Sequence, residues 1–414
     1  MADAEWVRGP FGPYGVEGRT CEYERTVLVV VHTVTAGTRL IDVVPLLEAD
    51  PRVQVVYTWP PWSLVSAGTG QFLDLLGGVV VPWRQAALEW FDLAVAASYG
   101  LLEQLHAPVL TVSHGVGFSK YPPAAGGRGG PRAPREPAGL ERGELIRRGR
   151  VVPSVIAVPT RRDLQCLEQE CPEAAPAGVV AGDPCYDRLA VSLPLRAAYR
   201  RALGTAGRTL VAVSSTWGPG SLAARCPDLL PQMMRELPAH QYQVAAILHP
   251  NAWAWHGRRQ IRAWLSGCVR RGLVLIPPEE GWRAVLAAAD VVVGDHGSVT
   301  CYGASAGVPV LLAAFPGEHV MPGSVVADLG RIAARLQPGQ PLLPQLRRAA
   351  LAWPPGASAT VRSRITDVPG QSARILRSVM YRLMDLPEPD SRPEVLPVPV
   401  PGPAAIEQGL DVAG

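Results

Sequence analysis

Seven cysteines, at 21, 166, 171, 185, 226, 268 and 301, form an odd set without a single C-x-x-C pair. That spacing favours a reducing compartment over a disulfide framework or a structural zinc site. No apolar run approaches the roughly 18 residues that span a bilayer. The opening "MADAEWVRGPFGPYG" lacks the basic-then-apolar order of a signal peptide, so the chain reads as soluble and cytoplasmic, with peripheral membrane contact left open. Positive charge is scarce in net terms, at +3, which gives no whole-molecule attraction to nucleic acid. The arginines have few aromatics among them, so no nucleic-acid-binding module is present and no nucleic-acid partner is expected. There is no Walker ending GKS or GKT, no convincing internal repeat, and no carboxylate cluster at metal-ligand spacing. No obligatory metal or cofactor is therefore expected.

Apolar residues at 48% and charged residues at 18% describe a globular chain. Its 414 residues exceed one ordinary core and divide into two domains of roughly 150 to 200 residues each. Residues 1–25 read as a flexible lead-in. Order begins with "RTVLVVVHTVTAGTRLIDVVPLLEADPRVQVVYTWPP", a strand, turn, helix and strand of βαβ length. "FDLAVAAS", "PVLTVSHG", "SVIAVPT" and "AGVVAGDP" come next as short apolar segments ending in turn residues. A second series runs through "GRTLVAVSSTWGPGSL", "YQVAAILHPN", "GLVLIPP", "ADVVVGDHGS" and "VPVLLAAFP". The expected fold is α/β: two Rossmann-like parallel-sheet domains, 26–190 and 191–385, facing a cleft. The Gly/Pro/Arg-rich stretch near 121–150 reads as a solvated surface loop, with a lid or an acidic-membrane contact as the other reading. Residues 386–414 are proline-rich and read as a disordered tail.

Polar clusters stand directly after the predicted strands, where open parallel sheets bind ligands. "SHGVGFSK" holds His114, a group that takes a proton near neutral pH, and Lys120, which suits a phosphate or an acidic acceptor. "SSTWGPGSL" offers Ser214, Thr216, Gly218 and Gly220, small residues that let backbone N–H groups approach a phosphate. In "ILHPN", Pro250 keeps His249 extended, so its ring stands at the strand end. "GDHGSVT" brings Asp295, His296, Gly297, Ser298, Val299 and Thr300 to the start of a helix whose N-terminus favours an anion. Gly297 suits a tight turn, Asp295 either caps the helix or meets the ligand, and His296 faces either phosphate or base. His32, at the end of the first strand, suits an acceptor pocket or a structural role. The tryptophans of "YTWPPWS" and "NAWAWHG" suit either stacking on a base or sugar or burial.

Taken in order, "SHGVGFSK", "VAGDPCYDRL", "LHPN" and "ADVVVGDHGSVTCYGASAGVPVLL" resemble the glycosyltransferase-B (GT-B) superfamily, and within it the CDP-glycerol glycerophosphotransferases of teichoic-acid-like polymers. The resemblance covers roughly residues 105–315. It implies a nucleotide-diphosphate donor, linked to a sugar or alditol, held mainly by the carboxy-terminal domain. It makes His114 the base, His249 a support for the donor phosphate and Ser298 a diphosphate contact; from their own positions, His32 and Lys120 are the residues expected at the acceptor. The acceptor is an unidentified hydroxyl. The turn reads Asp-His-Gly-Ser where the family has Asp-Tyr-Ser-Ser, and the residues between His114 and Lys120 depart from the usual threonine-proline-leucine. A sugar-nucleotide epimerase of the same architecture and a non-catalytic nucleotide-binding or partner protein are the alternatives.

Overall fold

The computed structural model describes residues 6–12, 15, 18, 20–61, 65–121, 136–205 and 207–402. Two compact units emerge. The first comprises residues 1–118, 124–187 and 366–395, and the second comprises 119–123, 188–365 and 396–414.

The first unit is built on β1 (Arg25–Val30), β2 (Val53–Thr58), β3 (Leu93–Ala96), β4 (Val109–Val112), β5 (Val155–Val158) and β6 (Gly178–Val180). All pair in parallel, in the order β2-β1-β3-β4-β5-β6. The second unit has β7 (Thr209–Ser215), β8 (Tyr242–Leu248), β9 (Val274–Ile276), β10 (Val291–Gly294), β11 (Val310–Leu312) and β12 (Ala334–Arg335). These are parallel too, in the order β9-β8-β7-β10-β11-β12. Strands such as "LAVA", "VLTV" and "VVVG" are buried at every position, as parallel strands covered on both faces must be. Their β-branched side chains pack well on a pleated surface.

Each strand order reverses once, between β1 and β3 in the first unit and between β7 and β10 in the second. At such a point the connections leave in opposite directions and a crevice opens at the carboxyl ends of the strands. Six helices position the functional side chains and close the cores: α1 (Val34–Leu40), α2 (Arg161–Glu170), α3 (Pro184–Ser192), α4 (Pro250–His256), α5 (Ser298–Ser305) and α6 (Ser372–Leu383).

Three expectations about organisation are corrected. The closing helix α6 belongs to the first unit, not to a 191–385 domain. Its Leu376, Val379, Met380 and Tyr381 join the core formed by β1–β5, and burying the first three of these side chains is worth about 5 to 9 kcal/mol. Asp187 fixes its start by accepting from the Gly370 and Ser372 N–H groups at 2.6 and 3.0 Å. Tyr381 donates to Asp50 at 2.7 Å further along. The proline-rich segment 386–402 has no helix or strand but is pinned. Val398 is buried, its N–H donates to the Ser192 hydroxyl, and its carbonyl accepts from Tyr199 at 2.6 Å. In the lead-in, Phe11 is buried and the Val7 backbone exchanges two hydrogen bonds with the Gln85 amide.

Residues 122–135 of the Gly/Pro/Arg-rich stretch and 403–414 of the tail lie outside the described residues. The rest of the stretch forms a helical turn, Arg142–Leu145, and a small hairpin pairing Ile146–Arg147 with Arg150–Val151. Among the described residues no helix is long and apolar enough to cross a membrane.

Candidate functional site

In the first unit the loop after β4 carries His114, whose side chain is exposed. The loop is held from below. Phe118 N–H donates to Asp163 at 3.0 Å, and Thr160, which caps α2, donates its hydroxyl to the same carboxylate at 2.6 Å. Gly117 has φ +63, and a Cβ there would lie 2.6 Å from the Asp163 carboxylate, so only glycine fits. Arg39 of α1 donates to the Gly115 carbonyl at 3.3 Å and to Asp183 at 2.8 Å. The Arg39–Asp183 pair is almost fully buried, and Asp183 also accepts from the Tyr186 N–H at the start of α3. A small cavity lined by Arg39, Ser113, Gly115, Gly182 and Asp183 lies beside it.

This scaffold sets the His114 tautomer. Nδ1 lies 3.0 Å from the Ala97 carbonyl. A carbonyl only accepts, so Nδ1 bears the hydrogen and Nε2 keeps the lone pair that takes up a proton. His32 is different: it is buried, with Nε2 donating to the Gly100 carbonyl at 2.7 Å. Burial holds it down to about 4, with a smaller push from His114. Its Nδ1 has no partner, which leaves a neutral acceptor at the β1 end of the strand-order reversal.

In the second unit the loops after β7, β8 and β10 converge. Asp295 is fully buried, and its carboxylate accepts from the Thr216 N–H and hydroxyl, the Leu222 N–H and the Gly297 N–H at 2.8 to 3.0 Å. Burial still pushes its pKa up, against those bonds and Lys120. Asp295 and Thr216, expected as ligand contacts, thus use their polar atoms to lock the β7 and β10 loops together. Gly297 is also used differently from expectation. Its φ is −79, which any residue adopts, but a Cβ would lie 2.7 Å from Thr216 Cγ2. Thr300 is buried against Gly294 rather than turned to a ligand.

Ser298 and Val299, half-buried, form the first turn of α5. No side chain caps that helix, so its leading N–H groups retain their affinity for an anion. His296 is buried with an unpartnered Nδ1, and burial first, then Lys120 and His319, hold it down to about 3. Gly220 faces it: a Cβ there would lie 3.8 Å from His296 Cε1 and 3.7 Å from His319 Nδ1. Gly218 adopts φ +80 with open space around it, and Ser214 is buried at the end of β7.

His249 N-caps α4, with Pro250 in the first turn, where a missing N–H costs nothing. The Asn251 N–H donates to His249 Nδ1 at 3.1 Å, so the proton of the neutral ring sits on Nε2. This is the opposite tautomer to His114. Trp217 stacks on the His249 ring at 6.5 Å between centroids. Trp253 is buried, Trp255 is exposed, and Trp59 is partly exposed, while Trp62 lies outside the described residues. Among the described residues no three His, Cys, Asp or Glu side chains gather as metal ligands.

Sequence reasoning missed Arg39 and His319. A charge on the otherwise apolar α1 face was a usable signal for Arg39. Nothing local marks His319.

Two Rossmann-like parallel-sheet units in one chain define a protein of the GT-B fold class. Solved structures agree. The chain superposes on the wall teichoic acid polymerase TagF, in a variant soaked with CDPG, at TM-score 0.60 and 12% identity over 88% of this chain and 89% of that one. S. aureus MnaA in complex with UDP matches at TM-score 0.52 and 12% identity over 87% and 97%. No family model and no curated protein matches the chain.

Proposed function

We propose that the protein is a transferase that moves a glycosyl or alditol-phosphate group from a nucleotide-diphosphate donor to an acceptor hydroxyl. The observation that carries this reading is the pair of opposite histidine tautomers. His114 offers a lone pair at Nε2, as a general base requires. His249 offers an N–H at Nε2, as an anion stabiliser requires. A protein that only binds nucleotide needs the second and not the first. TagF, soaked with CDPG, and MnaA, bound to UDP, share the fold and support a nucleotide-linked donor, with CDP-glycerol as the model to test first.

In this reading His114 takes the proton of the acceptor hydroxyl as its oxygen attacks. Charge gathering on the leaving phosphate is held by His249 Nε2–H, Ser298 and the leading N–H groups of α5. Attack at phosphorus gives a phosphodiester and releases a nucleoside monophosphate; attack at an anomeric carbon releases a nucleoside diphosphate. His32 serves the acceptor. No metal is required, so complete loss of turnover to a chelator with recovery in magnesium counts against this reading.

The test is thermal stability with CDP, UDP, GDP, ADP and TDP at matched concentrations. A ligand at about a hundred times its dissociation constant stabilises by about 2.7 kcal/mol, a rise of about 5 to 11 °C for a unit of this size. The expected result is a rise with one diphosphate that is lost in Ser298→Ala, followed by nucleotide release only when a hydroxyl acceptor is present. No rise with any of them overturns the donor reading.

A further inference from the structure

We propose that Lys120 is the cation of the phosphate-binding site in the second unit, and not an acceptor contact. It is the only lysine among 39 basic residues. Everywhere else the chain uses arginine, so position 120 keeps what a guanidinium does not supply: a compact point charge with three rotatable donors.

The backbone places it. Residues 119–121 belong to the second unit although they come soon after His114 in sequence. Lys120 pairs antiparallel with Val320, Met321 N–H donates to the Ser119 carbonyl, and Tyr121 N–H donates to the His319 carbonyl, both at 3.0 Å. The ammonium therefore acts electrostatically on Asp295, His296 and Cys301, around the first turn of α5.

The carboxylate that acts on it, Asp295, also holds the Gly297 N–H at the start of α5. Burial pushes the Lys120 pKa down, with Asp295 opposing. It makes no ion pair with a described residue. Both Asp295 oxygens are already committed to four donors, and Cys301, pushed up to about 12, stays a neutral thiol. The ammonium instead stands beside the positive end of an uncapped helix. Beside it lies His296, less than a tenth exposed, with an unpartnered ring nitrogen. A positive helix end and a partly buried ammonium share the single Asp295 charge, and the neutral His296 ring adds an unsatisfied nitrogen, so the site is complementary to a further anion. A diphosphate supplies that anion.

The inference rests on the donor reading for the identity of the ligand, but not for the existence of the anion site. Because the chain has one lysine, amine acetylation followed by peptide mass mapping reads Lys120 alone, with the α-amino group as internal control. Inorganic pyrophosphate, and whichever nucleoside diphosphate raises the melting temperature, should each slow Lys120 labelling at least tenfold without changing the α-amino group. Protection by pyrophosphate when no nucleotide binds upholds the anion site and removes the donor reading. Unchanged labelling under a ligand shown to bind overturns the assignment. Lys120→Met supplies the check if the native side chain resists labelling. It should weaken pyrophosphate binding at least tenfold. Unchanged affinity with a lowered melting temperature makes Lys120 a structural cation and refutes the proposal.

Discussion

Acidification should destabilise each unit through one buried histidine. His32 in the first unit and His296 in the second are neutral because burial lowers them from 6.5 to about 4 and about 3. The unfolded chain binds a proton at each site below 6.5 while the folded chain does not. Each contribution is therefore complete above that value and is lost as pH falls toward the folded pKa. From pH 7 to pH 5 linkage gives about 2 kcal/mol lost per histidine. That figure depends almost wholly on the unfolded value, since both folded values lie below the pH of measurement. For units of this size it lowers melting by about 4 to 7 °C. The opposing carboxylates Asp163, Asp187 and Asp295, raised by burial, gain stability as pH falls, so the effect is read as a difference between variants. Calorimetry of wild type, His32→Asn and His296→Asn at the two pH values should show each variant losing less than wild type by that amount. Equal losses in wild type and variants would mean that neither imidazole is held neutral, and the reasoning fails.

Three further outcomes are expected at the site. His114→Asn keeps a donor for the Ala97 carbonyl but removes the base, so turnover should fall about 10² to 10⁴-fold with the nucleotide-induced melting shift unchanged; a fall below tenfold removes His114 as base. Arg39→Ala takes the guanidinium from the buried Asp183 carboxylate, a loss of about 3 to 5 kcal/mol in urea unfolding, whereas less than 1 kcal/mol would show that the pair is dispensable. Gly297→Ala puts a methyl 2.7 Å from Thr216 Cγ2 and should cost about 1 to 3 kcal/mol with weakened nucleotide binding; a neutral result would show that the β7 and β10 loops need not touch.

The parallel sheets were legible because every strand is a short apolar run closed by turn residues, and buried strands admit little else. The site loops were legible for a related reason: polar residues directly after such runs must stand at the carboxyl end of a sheet. What each residue does there was not legible. Asp295 and Thr216 look like ligand contacts in sequence, yet they bond each other across 79 positions. The tail failed as a reading because composition says that 386–402 forms no regular structure, but cannot say that Val398 finds Ser192 and Tyr199.

The sequence by itself determined the fold class, the two strand series and the positions of His114, His249 and Ser298 at strand ends, since apolar periodicity and turn residues act locally. Only the tertiary structure decided which unit holds Lys120 and α6, because those choices depend on contacts far apart in the chain. It also decided which nitrogen of each histidine carries its proton. A tautomer is set by the backbone group that the ring meets, and for His114 that group, the Ala97 carbonyl, lies on a neighbouring strand's loop.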